Sequence, residues 1–248
     1  TFNGEYLSGL TSQVGIHTVS DTIKSTSGCD SIINLQLAVR PQKKDGGYYV
    51  KVDGTGDGSD WENAMSPKDF ATYLPLVYDG DTFHVAAGTY RCEVEDPVYG
   101  HTFCVNKDVT IIGGYPDTVT IVGTPSSPDV YTTLLTANNG GEEYMYMYMN
   151  SSFPSIGSFA KSEPSLVRVV GQPHVTLFCL PLSGVKNAND GAVSLLDGAA
   201  LDMDRCVVTK NQASAIYAKN ADVKVTNSEF SLNFTGVGSV FYLHYSQF

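Results

Sequence analysis

The strongest constraint on this chain is a pattern that returns three times near its end. Val175, Leu177 and Leu182 stand at offsets of zero, two and seven, and Leu201, Met203 and Val208 repeat them, as do Val223, Val225 and Phe230. The starts lie 26 and 22 residues apart, about one turn of a parallel β solenoid, in which each turn stacks its inward side chains on equivalent ones of the next. An offset of two keeps side chains on one face of a strand, and helical periodicity is absent over these stretches. Ala192-Val193 and Ala215-Ile216 begin comparable strands, and Val240-Phe241-Tyr242-Leu243 opens another. Roughly five to seven such turns fit the chain.

Composition agrees with a mainly β chain. Only 17% of the 248 residues are charged, and Val, Thr, Ile, Tyr and Phe are plentiful, whereas long helices need Ala, Glu, Lys and Leu in quantity. The net charge of −11 argues against binding nucleic acid through its phosphates and against docking on an anionic membrane. The one basic cluster is Arg40, Lys43 and Lys44. A calcium-bridged acidic glycan stays compatible with that charge, because the cation reconciles two negative surfaces. No apolar stretch approaches the roughly 20 residues of a membrane span, and no signal peptide opens the sequence at Thr1. We therefore expect a mature or excised chain with no membrane insertion. The five cysteines, Cys29, Cys92, Cys104, Cys179 and Cys206, lack CxxC spacing, so neither a zinc site nor a full disulfide framework is indicated. Cys92 and Cys104 are spaced to close a short loop; the plainer reading is buried thiols in strands.

Along the chain, residues 1–40 read as a small β module. It ends in a turn at Gly28 and a strand in which Ile33, Leu35, Leu37 and Val39 share one face. Phe2-Asn3-Gly4, then Gly28-Cys29-Asp30-Ser31-Ile32, then Leu35 to Val39 resemble a spacer module of Bacteroidetes surface proteins, a likeness covering about forty residues that implies a modular extracellular protein. About forty residues bury little core alone, so the unit is expected to lean on its neighbour. Residues 41–47, with Pro41, paired Lys and paired Gly, read as a linker.

Beyond the linker, Tyr48 to Val52 alternates as a strand and Gly54 to Ala64 forms a glycine-rich loop. Neither a helix opening on the glycines nor a P-loop lysine accompanies it, which argues against nucleotide binding. Ser66-Pro67-Lys68-Asp69 starts a short helix with Ser as N-cap and Pro first; Phe70, Tyr73 and Leu74 make its apolar stripe and Pro75 stops it. Phe83 and Val85 face inward on the next strand, where an outward position accounts for His84. Gly54 to Ala64, Gly80 to Tyr90 and Val109 to Tyr115 resemble the start of parallel β-helix proteins of the pectate-lyase-like superfamily, especially polymorphic outer-membrane-protein-like or adhesin-like members. The resemblance implies an all-β fold, a right-handed parallel β-helix over residues 48–248, with the short N-terminal helix capping its open end. It also implies a bacterial protein that is extracellular or associated with the outer membrane surface.

An insertion at about 125–164 departs from the repeat spacing. At its centre Tyr144, Tyr146 and Tyr148 alternate with three Met. With Met buried, the Tyr ridge is either covered within an insertion hairpin or exposed to stack on sugar rings or anchor a protein.

A site like that of pectate lyases resembles a calcium held by several Asp with an Arg or Lys as base. Asp202 and Asp204, pointing the same way from one strand, are the candidates for catalysis or metal binding, with Arg205 and Lys224; Asp190, Asp197 and His244 are candidate neighbours. Solvent-facing alternation beside Leu201 and Met203 produces the pair by itself. The two backbones lie about 7 Å apart, within the range of a glycosidase acid–base pair, but nothing else selects them. No acid or base signature of the lyases is recognisable, no Ser/His/Asp grouping stands out, and the sequons at Asn150 and Asn233 read as chance matches.

The leading expectation is a non-catalytic adhesin-like module that binds a glycan or host protein through loops and exposed aromatics, without cofactor unless calcium. A calcium-dependent lyase or glycoside hydrolase on acidic polysaccharide and a structural stalk are the alternatives. The aromatic end, Phe241 to Phe248, is expected to cap the last turn or to pair with another chain.

Overall fold

The computed structural model describes residues 13–24, 28–96, 98–137, 165–185, 191–234 and 240–248. The chain is mostly β with parallel sheets. Strands β1 (Gly15–Ile23) and β2 (Ser31–Val39) pair antiparallel as a hairpin. Leu35, Leu37 and Val39 are half-buried while the residues between them are exposed, so the alternation read from the sequence is real but its apolar face is only partly covered.

The segment read as a linker is held in place. Pro41 and Gly47 are buried, Lys44 Nζ sits 2.7 Å from Asp57 Oδ2, and the hydrogen bond from Lys44 holds the Asp57 carboxyl down at about 2. Short loops of this polarity dock readily when their backbone groups find partners.

From β3 (Tyr48–Val50) onward the pairing is parallel. The six-stranded sheet contains β3, β4 (Asp81–Ala86), β7 (Val109–Tyr115), β10 (His174–Phe178), β13 (Ala200–Asp204) and β16 (Asp222–Thr226), in that spatial order. A five-stranded sheet contains β5 (Gly88–Tyr90), β8 (Thr133–Thr136), β11 (Pro181–Ser183), β14 (Val207–Thr209) and β17 (Glu229–Ser231). The other five-stranded sheet contains β6 (Phe103–Val105), β9 (Val167–Val169), β12 (Gly191–Leu196), β15 (Ser214–Lys219) and β18 (Phe241–His244). From β4 onward the chain therefore visits the three sheets in a fixed cycle.

The register places the repeat read from the sequence in stacked columns. Val109, Val175, Leu201 and Val223 align, as do Leu177, Met203 and Val225, and Leu182, Val208 and Phe230. Tyr48, Phe83 and Ile111 extend the second column toward the start of the chain. Most of these side chains are fully buried and belong to one continuous core, as a parallel sheet requires. The earlier circuits escaped the offset pattern because their connections are longer and a bulge interrupts β4 between His84 and Ala86. Strand β8 falls inside the stretch read as an insertion, so only part of residues 125–164 lies outside the repeat.

Helix α1 (Pro67–Tyr73) forms as its sequence dictates. The Ser66 side chain accepts from the Asp69 N–H at 3.1 Å, and Pro67 occupies the first turn, where its missing N–H costs nothing. Phe70 and Leu74 are fully buried, and Phe70 meets Phe83 and Phe103 with ring centres 5.1 and 5.4 Å apart. The glycine-rich loop before the helix is a close backbone hairpin: Gly56 N–H donates to Ala64 O at 2.9 Å and Gly58 N–H to Asn63 O at 2.7 Å. A Cβ on Gly56 would stand 2.3 Å from Asn63 O, so the glycines serve chain packing.

In the last three circuits, the residue directly after each strand bends through the left-handed region. Cys179, Arg205 and Asn227 do so after β10, β13 and β16, with φ of 59°, 50° and 48°. Gly184, Lys210 and Leu232 follow β11, β14 and β17, and Asp197, Asn220 and Tyr245 follow β12, β15 and β18. Connection lengths differ sharply among the corners. Those from the last-named sheet back to the six-stranded one are uniformly short. Those from the first five-stranded sheet to the other run Tyr90 to Phe103, Thr136 to Val167, Ser183 to Gly191, Thr209 to Ser214 and Ser231 to Phe241.

The final residues continue the same order. β18 pairs with β15, and the Val223 N–H then donates to Gln247 O at 3.0 Å, beside the start of β16. Phe241 contacts Phe230 and Phe248, with ring centres 4.8 and 5.1 Å apart. Removal of residues 241–248 is expected to lower the urea midpoint or change the oligomeric state; a truncated chain that matched the parent in both would refute this role. Leu232 is 57% exposed at φ 55°, where Asn is tolerated better than a bulky residue. Leu232→Asn should raise unfolding free energy by about 1 kcal/mol, measured as a higher denaturation midpoint at unchanged m-value.

Candidate functional site

The outward residues of the six-stranded sheet form two zones. In the first, Tyr49, His84 and Ile112 align on neighbouring strands. The loop carrying Trp61 folds over them, so Trp61, Tyr49, Ala86, Tyr115 and Val119 make a second apolar cluster on the outside of the sheet. Tyr49 stacks on His84 at 4.9 Å between ring centres, and Trp61 meets Tyr49 at 4.8 Å and Tyr115 at 5.1 Å. The outward position of His84 read from alternation is correct, but the residue is covered.

The partners of His84 fix its tautomer. Nε2 lies 3.2 Å from Gly46 O, which can only accept, so Nε2 carries the proton. Nδ1 then accepts from the Tyr115 hydroxyl at 2.8 Å. Burial disfavours the imidazolium and lowers the pKa of His84, and it pushes the Tyr115 phenol up to about 12. The cluster thus clamps the glycine-rich loop to the sheet with neutral groups. Because the unfolded chain holds a proton on this imidazole below about pH 6.5 and the folded chain resists it, stability should rise with pH through that window and level off above it. His84→Gln should flatten the dependence between pH 5 and 7.5 in urea titrations; an unchanged slope would show that His84 does not carry it.

The second zone holds the carboxylates expected from the sequence. Asp202 aligns with Thr176 and Lys224, and Asp204 with Phe178 and Thr226. Both Asp face outward on β13, as alternation requires. Their surroundings keep them apart chemically. Asp202 Oδ2 lies 3.0 Å from His174 Nε2, with both side chains partly exposed. Asp204 Oδ1 accepts from Asn227 Nδ2 at 2.7 Å and Thr226 Oγ1 at 2.8 Å. These hydrogen bonds hold the Asp204 carboxyl below the usual carboxylate range. Arg205 Nε approaches the other oxygen at 3.9 Å while its guanidinium lies over the Phe178 ring, 5.6 Å from the centre.

Asp197 sits in the bend before β13, and its N–H donates to Lys219 O at 3.1 Å. His244 belongs to a different sheet, on β18, where it aligns with Lys219. Asp190, Tyr144, Tyr146 and Tyr148 lie outside the described residues. Among the described residues, no group of three His, Cys, Asp or Glu side chains is arranged to hold a metal ion. Cys92 and Cys104 are free thiols, both pushed up to about 11 by burial. A cavity of about 420 Å³ lies between the start of α1 and the chain leaving β5, with Lys68 and Glu93 of opposite charge in its lining.

The sheet ending in β18 presents an arrangement that sequence reading missed. Tyr217 and Tyr242 align on β15 and β18, and their rings stack 4.8 Å apart at an interplanar angle of 3°. Lys219 and His244 align two residues further on and are exposed. The signal was present as a short repeat, Ile216-Tyr217-Ala218-Lys219 and Phe241-Tyr242-Leu243-His244, an apolar residue, Tyr, another apolar residue, then a basic one.

No family model, curated protein or solved structure matches the chain. Among the described residues, no helix is long and apolar enough to cross a membrane.

Proposed function

We propose that this chain is a non-catalytic binding module built as a right-handed parallel β-helix, with the three parallel sheets as its faces and α1 as the cap of its first turn. The fixed cycle of strands and the in-register apolar columns support the architecture. The likeness of Gly54 to Ala64 and Gly80 to Tyr90 to adhesin-like β-helix proteins supports a secreted or bacterial surface setting, with a glycan or host protein as ligand. The observation that carries the binding reading is the stacked, outward Tyr217/Tyr242 pair with basic neighbours, a flat amphipathic surface of the kind that recognises sugars and partner proteins.

A calcium-dependent lyase or hydrolase on acidic polysaccharide is the second reading. It rests on His174, Asp202 and Lys224 sharing one outer face, since an imidazole against a carboxylate is a general-base arrangement. Asp204 weighs against it, because that carboxylate is already engaged by Thr226 and Asn227.

Incubation with acidic and neutral polysaccharides, with and without calcium, separates the two readings. We expect no unsaturated products and no new reducing ends, and retention of the intact protein on at least one immobilised glycan or host extracellular protein. Calcium-dependent cleavage that disappears in an Asp202→Ala/Asp204→Ala variant would overturn the binding reading and establish a lyase.

A further inference from the structure

We infer that the outer face of the sheet ending in β18 is a binding site for a sugar that carries a carboxylate, with Tyr242 as the stacking platform and Lys219 and His244 as the anion-binding groups. The inference rests on the reading of the chain as a binding module and names the ligand chemistry and the place.

Three observations converge on it. The first is geometry. Tyr217 covers one face of the Tyr242 ring, and β18 is the last strand of its sheet, so the other face of Tyr242 points past the sheet edge. Tyr242 is 42% exposed. A pyranose ring offers C–H groups to such a face much as another ring would, at the spacing the two tyrosines already adopt. Stacking on Tyr217 also fixes the Tyr242 rotamer before any ligand arrives, which lowers the ordering cost of binding.

The second is charge. In a chain of net charge −11, the five strands of this sheet carry Arg168, Lys219 and His244 and not one Asp or Glu. The six-stranded sheet carries Asp202, Asp204, Asp222 and the buried Asp81, against Lys224, His84 and His174. The acidic character is thus partitioned between faces, and the Tyr-bearing face is the one that receives an anion.

The third is alternation. Side chains two residues apart on a strand project from the same face about 7 Å apart. Lys219 therefore stands beside Tyr217, and its β18 partner His244 beside Tyr242; on β15 the flanking Ile216 and the intervening Ala218 are buried, while on the edge strand β18 the intervening Leu243 is itself exposed. A sugar lying on Tyr242 directs its carboxylate toward the Lys219/His244 column. Arg residues make bidentate carboxylate contacts, whereas Lys acts as a point charge, so this site discriminates by charge and stacking more than by a fixed carboxylate geometry.

The test is equilibrium binding of the full chain to polygalacturonate, a sialylated oligosaccharide and dextran. Binding is expected to at least one carboxylated probe and not to dextran, and it should weaken as salt rises. Tyr242→Ala should reduce affinity about tenfold and Tyr242→Phe should preserve it. Lys219→Ala should reduce affinity about threefold and blunt the salt dependence. Because Tyr242→Phe keeps the packing, it separates loss of the site from loss of fold, which circular dichroism also monitors. Equal affinity for dextran would overturn the anionic assignment. Binding that survives Tyr242→Ala and Lys219→Ala would overturn the site while leaving the binding-module reading standing. Failure of both carboxylated probes would overturn the inference, and the wider panel of glycans and host proteins then decides whether the module reading falls with it.

Discussion

Everything in this molecule depends on the registered stacking of short parallel strands. A strand of three to seven residues has no independent stability, because its backbone groups are satisfied by the equivalent strands one circuit earlier and one circuit later. The inward columns add the apolar burial that makes each circuit favourable, and because Val109, Val175, Leu201 and Val223 occupy equivalent places, the middle pair, Val175 and Leu201, each contribute to two interfaces at once. Stability in such an arrangement grows by neighbour terms, each circuit extending the continuous core by one layer. The clamp of Trp61, Tyr49 and Tyr115 at the start of the chain and the Phe230, Phe241 and Phe248 contact at its end reinforce the circuits that have a neighbour on one side only.

The part of the fold legible in the sequence is the part with uniform spacing. Offsets of zero, two and seven near the C-terminus announced both the strands and their register, and every alignment they imply is present. The first circuits were harder to read because bulges and long connections change the count between equivalent residues, as at His84 and Ala86 and between Tyr115 and Thr133. A periodic signal survives variation in residue type far better than variation in loop length. Strand β8 carries no periodic signal for that reason, since a long connection separates it from β7.

The candidate sites were legible to different degrees. Asp202 and Asp204 share a face as alternation requires, yet spacing could not reveal that Thr226 and Asn227 engage one and His174 the other, since those partners come from neighbouring circuits. Trp61 reads as part of a loop signature, and its burial against Tyr49 and Tyr115 depends on contacts with no local sequence mark. Tyr217 and Tyr242 sit 25 residues apart in sequence and touch only because the register brings equivalent positions together. Their shared context of two apolar residues and a base is present in the sequence, but only the register pairs the two segments.

The unequal corners bear on how this chain can change over generations. Connections on the returning side stay short in every circuit, from Val105 to Val109, Val169 to His174, Leu196 to Ala200 and Lys219 to Asp222. Those running from the first five-stranded sheet to the other already range from a few residues to a long excursion without disturbing the alignment on either side. The connection from Tyr115 to Thr133, at the corner between the six-stranded sheet and the first five-stranded one, is a second place where extra length is absorbed. The stacked body is thus a fixed frame whose spare length sits in loops at two of its three corners, one of them beside the tyrosine face.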